Sequence, residues 1–173
     1  NGAGVNTFPA IQQVRLLNGG VQLTPVLSGD ATATDITTNS TVTLNEIDPD
    51  SMTIDPAGDV VLVNQGGAEI VFVHGTGTPG QTVKRLPVGT QLEDPTWVTA
   101  QEGLLYVVDG GLNAIFTLSS DFAPGTVYTE APSDSGVAGF VGTLDLKTGT
   151  VTPIAVGFKS PTGLLFSPGD DEH

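Results

Sequence analysis

The chain has 173 residues and a mass of 17.7 kDa, the size of one ordinary domain or of a few small repeats. Only 14% of residues are charged, yet 19 acids face 5 bases and leave a net charge of −14. That sign repels phosphate backbones, which excludes non-specific nucleic-acid binding, and a 38% hydrophobic content excludes a disordered tail. Cysteine is absent, so disulfide scaffolds, zinc-thiolate centres and cysteine nucleophiles are excluded too. No apolar run approaches the roughly 20 residues of a membrane span. The sequence opens on Asn1 with no basic, apolar leader, which reads as a processed or trimmed product. Few lysines, many Thr, Gly and Asp, and a pI of 4.1 suit a secreted or periplasmic bacterial protein.

Taken in chain order, Pro9–Leu17 is short enough for a helix, but Asn18-Gly19 supplies the positive φ angles of a tight turn and predicts a hairpin instead. Asp30 to Asp48 lacks Gly and Pro and is rich in Thr; the alternation Thr41, Val42, Thr43, Leu44 reads as strand. Val60–Val63, Ile70–Val73, Leu104–Val108 and Ala114–Leu118 are short β-branched or apolar runs between Gly-, Asp- and Asn-rich turns. With 23 Gly and 12 Pro spread along the chain, no long helix is expected. The class is all-β.

Internal repetition narrows the architecture. Gly58-Asp59-Val60-Val61-Leu62-Val63-Asn64, then Ile70-Val71-Phe72, matches Gly103-Leu104-Leu105-Tyr106-Val107-Val108-Asp109, then Ile115-Phe116-Thr117, at a constant offset of 45. Val83–Gly89 matches Val151–Gly157 at an offset of 68, so the later unit carries 23 extra residues, placed within Ser119–Gly142. A Pro-Thr step enters both Asp94-Pro95-Thr96-Trp97 and Ser160-Pro161-Thr162-Gly163-Leu164. A repeat of four short strands in 40–45 residues is the unit of a β-propeller blade. The reading is therefore a partial ring of four-stranded antiparallel blades, with a β-sandwich as the alternative. Residues 14–29 form the last hairpin of one blade, 48–89 a complete blade, 94–157 a complete blade with its insertion, and 160–173 the first strand of the next.

Pro161-Thr162-Gly163-Leu164, Gly103 to Asp109 and Asn113-Ala114-Ile115 together resemble the NHL and SMP-30/gluconolactonase-like propellers. The resemblance covers roughly Leu17 to Pro168, about half of a six-bladed ring. It implies that another chain, or the rest of a parent protein, completes the ring. It also implies that Asp109, placed after the Tyr-Val strand, would be a divalent-metal ligand as in the lactonases. The family's Asn before Gly-Leu is missing, because Ser160-Pro161-Thr162 stands there.

Blade geometry places Asp48, Asp50, Glu93, Asp94, Asn64 and Asp109 on one face of the disc. Asp109, Asn64, Asp94 and Asp48 are the candidate oxygen ligands for calcium or another divalent cation. The competing reading is that Asn64 and Asp109 bond local turn amides. Gly75-Thr76-Gly77-Thr78-Pro79-Gly80 satisfies G-x-G-x-x-G but precedes a strand-like run, so it is a hairpin loop without the helix a pyrophosphate needs. His74 is expected on the opposite face, flanking a turn, and Trp97 in the core or lining a channel. His173 closes the acidic run Asp170-Asp171-Glu172, a solvated end. No nucleophile, base and orienting group recur together. The sequence thus favours an extracellular or periplasmic binding or structural module without a catalytic centre, against a metal-dependent, lactonase-like hydrolase.

Overall fold

The computed structural model describes residues 5–133 and 137–169. The end of the chain, including His173 and its acidic run, lies outside the described residues, as do three positions within the proposed insertion. The described chain is all-β, with fifteen strands and no helix. In order they are β1 Pro9–Leu17, β2 Gly20–Ser28, β3 Thr32–Asp35, β4 Thr41–Thr43, β5 Pro49–Ile54, β6 Val60–Asn64, β7 Glu69–His74, β8 Thr82–Pro87, β9 Glu93–Trp97, β10 Gly103–Asp109, β11 Ala114–Leu118, β12 Val127–Ala131, β13 Gly139–Leu144, β14 Val151–Phe158 and β15 Pro161–Pro168.

β1 and β2 form the expected hairpin, turning at Asn18 and Gly19, where Gly19 takes φ 91°. β5 to β8 form an antiparallel meander, the predicted four-stranded unit. The β3–β4 pair extends that sheet to six strands through a parallel contact between β3 and β8. A second sheet runs β14-β13-β12-β9, and a third β11-β10-β15.

Here the structure departs from the sequence reading. The β10–β11 hairpin does pair in the register of β6–β7, since Val61 opposes Phe72 and Tyr106 opposes Thr117, each shifted by 45. It does not follow β9 in a sheet, however. β10 pairs with β15, so the hairpin belongs to the third sheet, and the stretch read as an insertion supplies β12 and the start of β13 beside β9. The unit at 94–157 is therefore not one blade with a loop inserted; it is divided between two sheets. The cause is burial. Leu105 and Val107 of β10 pair with Phe166 and Leu164 of β15 and share a packed layer with Val98, Phe122 and Val141.

Three apolar layers hold the sheets together. Val61, Val63, Ile70 and Leu86 of the first sheet meet Val127, Ala131 and Leu144 of the second, with Trp97 half-buried against them. The second and third sheets meet through Val98, Leu105, Val107, Val141, Leu164 and Phe166, reinforced by an edge-to-face pair of Phe122 on Phe166. The other face of the first sheet, through Leu62, Val71 and Val73, is covered by Ile11, Leu27, Ala33 and Leu44 from the N-terminal segment. That first sheet is covered on both faces at β6 and β7, while β5 leaves Met52 and Ile54 exposed; the third sheet is buried on one face.

Candidate functional site

The loops that enter β5, β9 and β15 share one end of the sheets with the β6–β7 and β10–β11 turns. Asn64 explains how that end is built. Its Oδ1 accepts the backbone N–H of Asp48 at 3.2 Å and of Gly67 at 3.3 Å, while its Nδ2 donates to the Asn45 carbonyl at 3.0 Å and to Glu69 at 2.9 Å. Asp109 does the same work in the third sheet. Its Oδ1 accepts from Ser160 at 2.9 Å and Leu112 at 3.1 Å, and its Oδ2 from Lys159 at 2.7 Å. Both side chains are fully buried. In each case the turn residue three along, and the residues leading into a proline-initiated first strand, are tied to one Asx side chain. The turns match down to backbone: Ala68 and Asn113, again 45 apart, both take left-handed φ near 50°.

Asp109 and Asn64 are thus committed to amides. These hydrogen bonds hold the Asp109 carboxyl below the usual carboxylate range despite its burial. Asp94 and Asp48 share the end with them. Among the described residues no three His, Cys, Asp or Glu side chains are placed to hold a metal together. Asp94 adopts φ 26° ahead of Pro95, and its N–H donates to Ser51 of β5, which joins the first and second sheets.

The acids that sequence reading passed over are Glu46 and Glu130, and Glu93, which it placed on this face, shares their character. Glu46 and Glu130 are fully buried, and none of their four carboxyl oxygens has a hydrogen-bond partner. Burial, with the charge of Glu69, pushes Glu46 up to about 8. Burial, with Asp94 and Glu93 nearby, pushes Glu130 up to about 9. Glu93, beside Asp50 and hydrogen-bonded by Gln65, is pushed up to about 8, again chiefly by burial. Glu130 and Glu93 oppose each other across β12 and β9, with Asp94 beside them, whereas Glu46 lies apart, beside Glu69 and Asn64. At neutral pH this end therefore holds uncharged carboxyl groups in two places, one at the β9–β12 pair and one beside the β6–β7 turn. Glu130 lies in a strand, Tyr128-Thr129-Glu130-Ala131, which alone signals this in the sequence, whereas Glu46 lies in the loop between β4 and β5.

A further buried acid, Asp35, caps its own turn through Thr37 and Thr38 and pairs with Arg85 at 2.8 Å, closing the parallel contact of β3 with β8. Arg85 also reaches Glu69 at 3.3 Å.

The opposite end is different in character. His74 is exposed at the end of β7, with Nδ1 2.6 Å from Asp59, and it borders a small cleft with Phe72 and Lys84. Asn64 and His74 thus fall at opposite ends of the β6–β7 hairpin, as the blade geometry predicts. Gly75–Gly80 joins β7 directly to β8, a loop with no helix after it. An open cavity of about 320 Å³ lies where β5, β9 and β15 run side by side, lined by Ile54, Asp55, Thr96, Trp97, Leu164 and Phe166.

No protein-family model matches the sequence, no curated protein is similar to it, and no solved structure matches its fold. No helix among the described residues is long and apolar enough to cross a membrane.

Proposed function

We propose that this chain is a propeller-type binding or structural module, working in a secreted or periplasmic setting, without a catalytic centre of its own. The observation that carries the reading is the commitment of Asp109. The residue that the lactonase resemblance would make a metal ligand has its carboxylate filled by the amides of Lys159, Ser160 and Leu112. Asn64 repeats the arrangement with a different side chain, as a loop clamp requires and a metal site does not. The side-by-side first strands β5, β9 and β15, each leading a separate sheet, support an arc of three blades that another chain or the rest of a parent protein completes.

Calcium titration followed by thermal unfolding, run beside a lactone-hydrolysis assay, tests this. The expected result is an unchanged melting temperature and no metal-dependent hydrolysis. A second reading, a divalent-metal-dependent lactonase-like hydrolase, is favoured by one observation, the partnerless oxygens of Glu130 beside Asp94 and Glu93. A rise of several degrees with calcium, abolished by Glu130→Gln, would select that reading.

A further inference from the structure

The chain contains three Asp-Pro bonds, Asp48-Pro49, Asp55-Pro56 and Asp94-Pro95. An aspartate before proline forms the peptide link most easily cut by acid. Its carboxylate can close a five-membered ring on its own carbonyl carbon while the basic proline nitrogen takes a proton and departs. The fold treats the three bonds differently.

Asp48 and Asp55 keep negative φ, and the Oδ1 of Asp55 is held at 2.9 Å by the amides of both Ala57 and Asp59. Asp94 takes φ 26° instead. Among the described residues it is the one non-glycine residue of positive φ that precedes a proline, and it falls short of the 49° to 54° at which Asn39, Ala68 and Asn113 sit. Proline restricts the residue before it to extended backbone, so two constraints oppose each other at this bond. The strand register shows their origin. Thr96 opposes Tyr128 and Glu93 opposes Glu130, which leaves Asp94 and Pro95 bulged against Thr129 alone.

The surroundings supply what else the reaction needs. Glu130 stands beside the bulge, fully buried, with neither carboxyl oxygen hydrogen-bonded. Burial, with Asp94 and Glu93 nearby, keeps it protonated at neutral pH, so it holds an uncommitted proton. The Asp94 N–H donates to Ser51 at 3.1 Å, and the Thr96 hydroxyl lies 3.4 Å from the Asp94 carbonyl oxygen.

We propose that Asp94-Pro95 is a self-cleavage site, cut once per chain by the Asp94 carboxylate with Glu130 as the proton source. A carboxylate oxygen of Asp94 bonds to the Asp94 carbonyl carbon. The bond from that carbon to the Pro95 nitrogen breaks, and the nitrogen keeps the electron pair and takes the Glu130 proton. Water then opens the cyclic anhydride, leaving Asp94 as a new carboxyl terminus and returning a proton to Glu130. The products, residues 1–94 and 95–173, stay joined by the layer in which Val61, Ile70 and Leu86 meet Val127 and Leu144. The step consumes its own site, so it goes beyond the module reading without depending on it.

Intact-mass spectrometry of the folded chain, held in mildly acidic to neutral buffer, tests this with the other two Asp-Pro bonds as internal references. Asp94-Pro95 should break at least about tenfold faster than either, as relief of backbone strain predicts, and in urea the three should break at similar rates. Asp94→Glu, whose ring would need six members, should abolish the selective cut. Glu130→Gln should slow it at least about tenfold with an unchanged β-type circular dichroism spectrum. Similar rates at all three bonds of the folded chain, or cutting of the unfolded chain alone, would overturn the proposal. A Glu130→Gln rate equal to that of wild type would overturn Glu130 as the proton source.

Discussion

At the scale of single residues, the acids divide into two groups whose titrations oppose each other. Glu46, Glu93 and Glu130 have carboxyls raised by burial, so the folded chain holds protons that the unfolded chain releases above its ordinary value near 4.5. Their contribution is fully present below that value and is lost as pH rises towards 8 and 9. Asp35 and Asp109 are lowered, so their contribution is present above the ordinary aspartate value and is lost as pH falls below it. Stability should therefore peak in mild acid, near pH 5, and decline through neutral to alkaline pH. Urea denaturation across that range checks the sign. Glu130→Gln should flatten the alkaline decline and gain on the order of a few kcal/mol over wild type near pH 9. An alkaline limb as steep in the variant as in wild type would show that Glu130 is not the group responsible.

The Asx clamps make a second prediction at this scale. Asp109→Ala leaves the amides of Lys159, Ser160 and Leu112 without acceptors and should cost about 3 kcal/mol in denaturant unfolding. Asp109→Asn keeps one carbonyl oxygen, as Asn64 has, and should recover about half of that loss. Equal losses for the two variants would mean that charge at this position, rather than hydrogen bonding, is what matters.

Among elements, the β6–β7 and β10–β11 hairpins show how far the sequence could be read. Their likeness was legible because strand pattern, turn residues and register all recur at one offset, and the structure repeats even the left-handed residue of the turn. The sheet that receives the second hairpin was not legible. Asp94-Pro95-Thr96 and Ser160-Pro161-Thr162 are nearly the same entry motif, and chain adjacency favoured the first. The choice is made by side chains distant in sequence, Leu164 and Phe166 against Leu105 and Val107, together with the clamp of Asp109 on Lys159 and Ser160. Glu130 is missed for a related reason: a glutamate in a short strand looks the same whether its side of the sheet is later covered or left open.

The absence of cysteine offers a clean test of the pairing. Tyr106→Cys with Leu165→Cys places two thiols on directly opposed residues of β10 and β15, and mild oxidation should cross-link them. Tyr106→Cys with Val98→Cys, which would face each other only if β10 followed β9 in the register of Thr53 opposite Val61, should stay reduced. Cross-linking of the second pair and not the first would restore the blade order read from sequence.

On the scale of the whole molecule, the stack is asymmetric. Strands β6 and β7 of its first sheet are covered on both faces, while its third sheet leaves Leu104, Val108, Ile115 and Leu165 in water. Where the sheets adjoin, Val98 and Leu164 are buried and Trp97 is half-buried, whereas Leu165 is largely exposed. Ile11 and Leu27 of the N-terminal segment do the covering at the other end. On the proposed reading, three blade-like sheets side by side are an arc that a further surface completes. Sedimentation equilibrium of the purified chain at micromolar concentration tests this most directly. The account predicts a mass well above the 17.7 kDa of one chain, rising further with salt. A well-folded species that stays at 17.7 kDa under those conditions would contradict it and point to a self-contained sandwich.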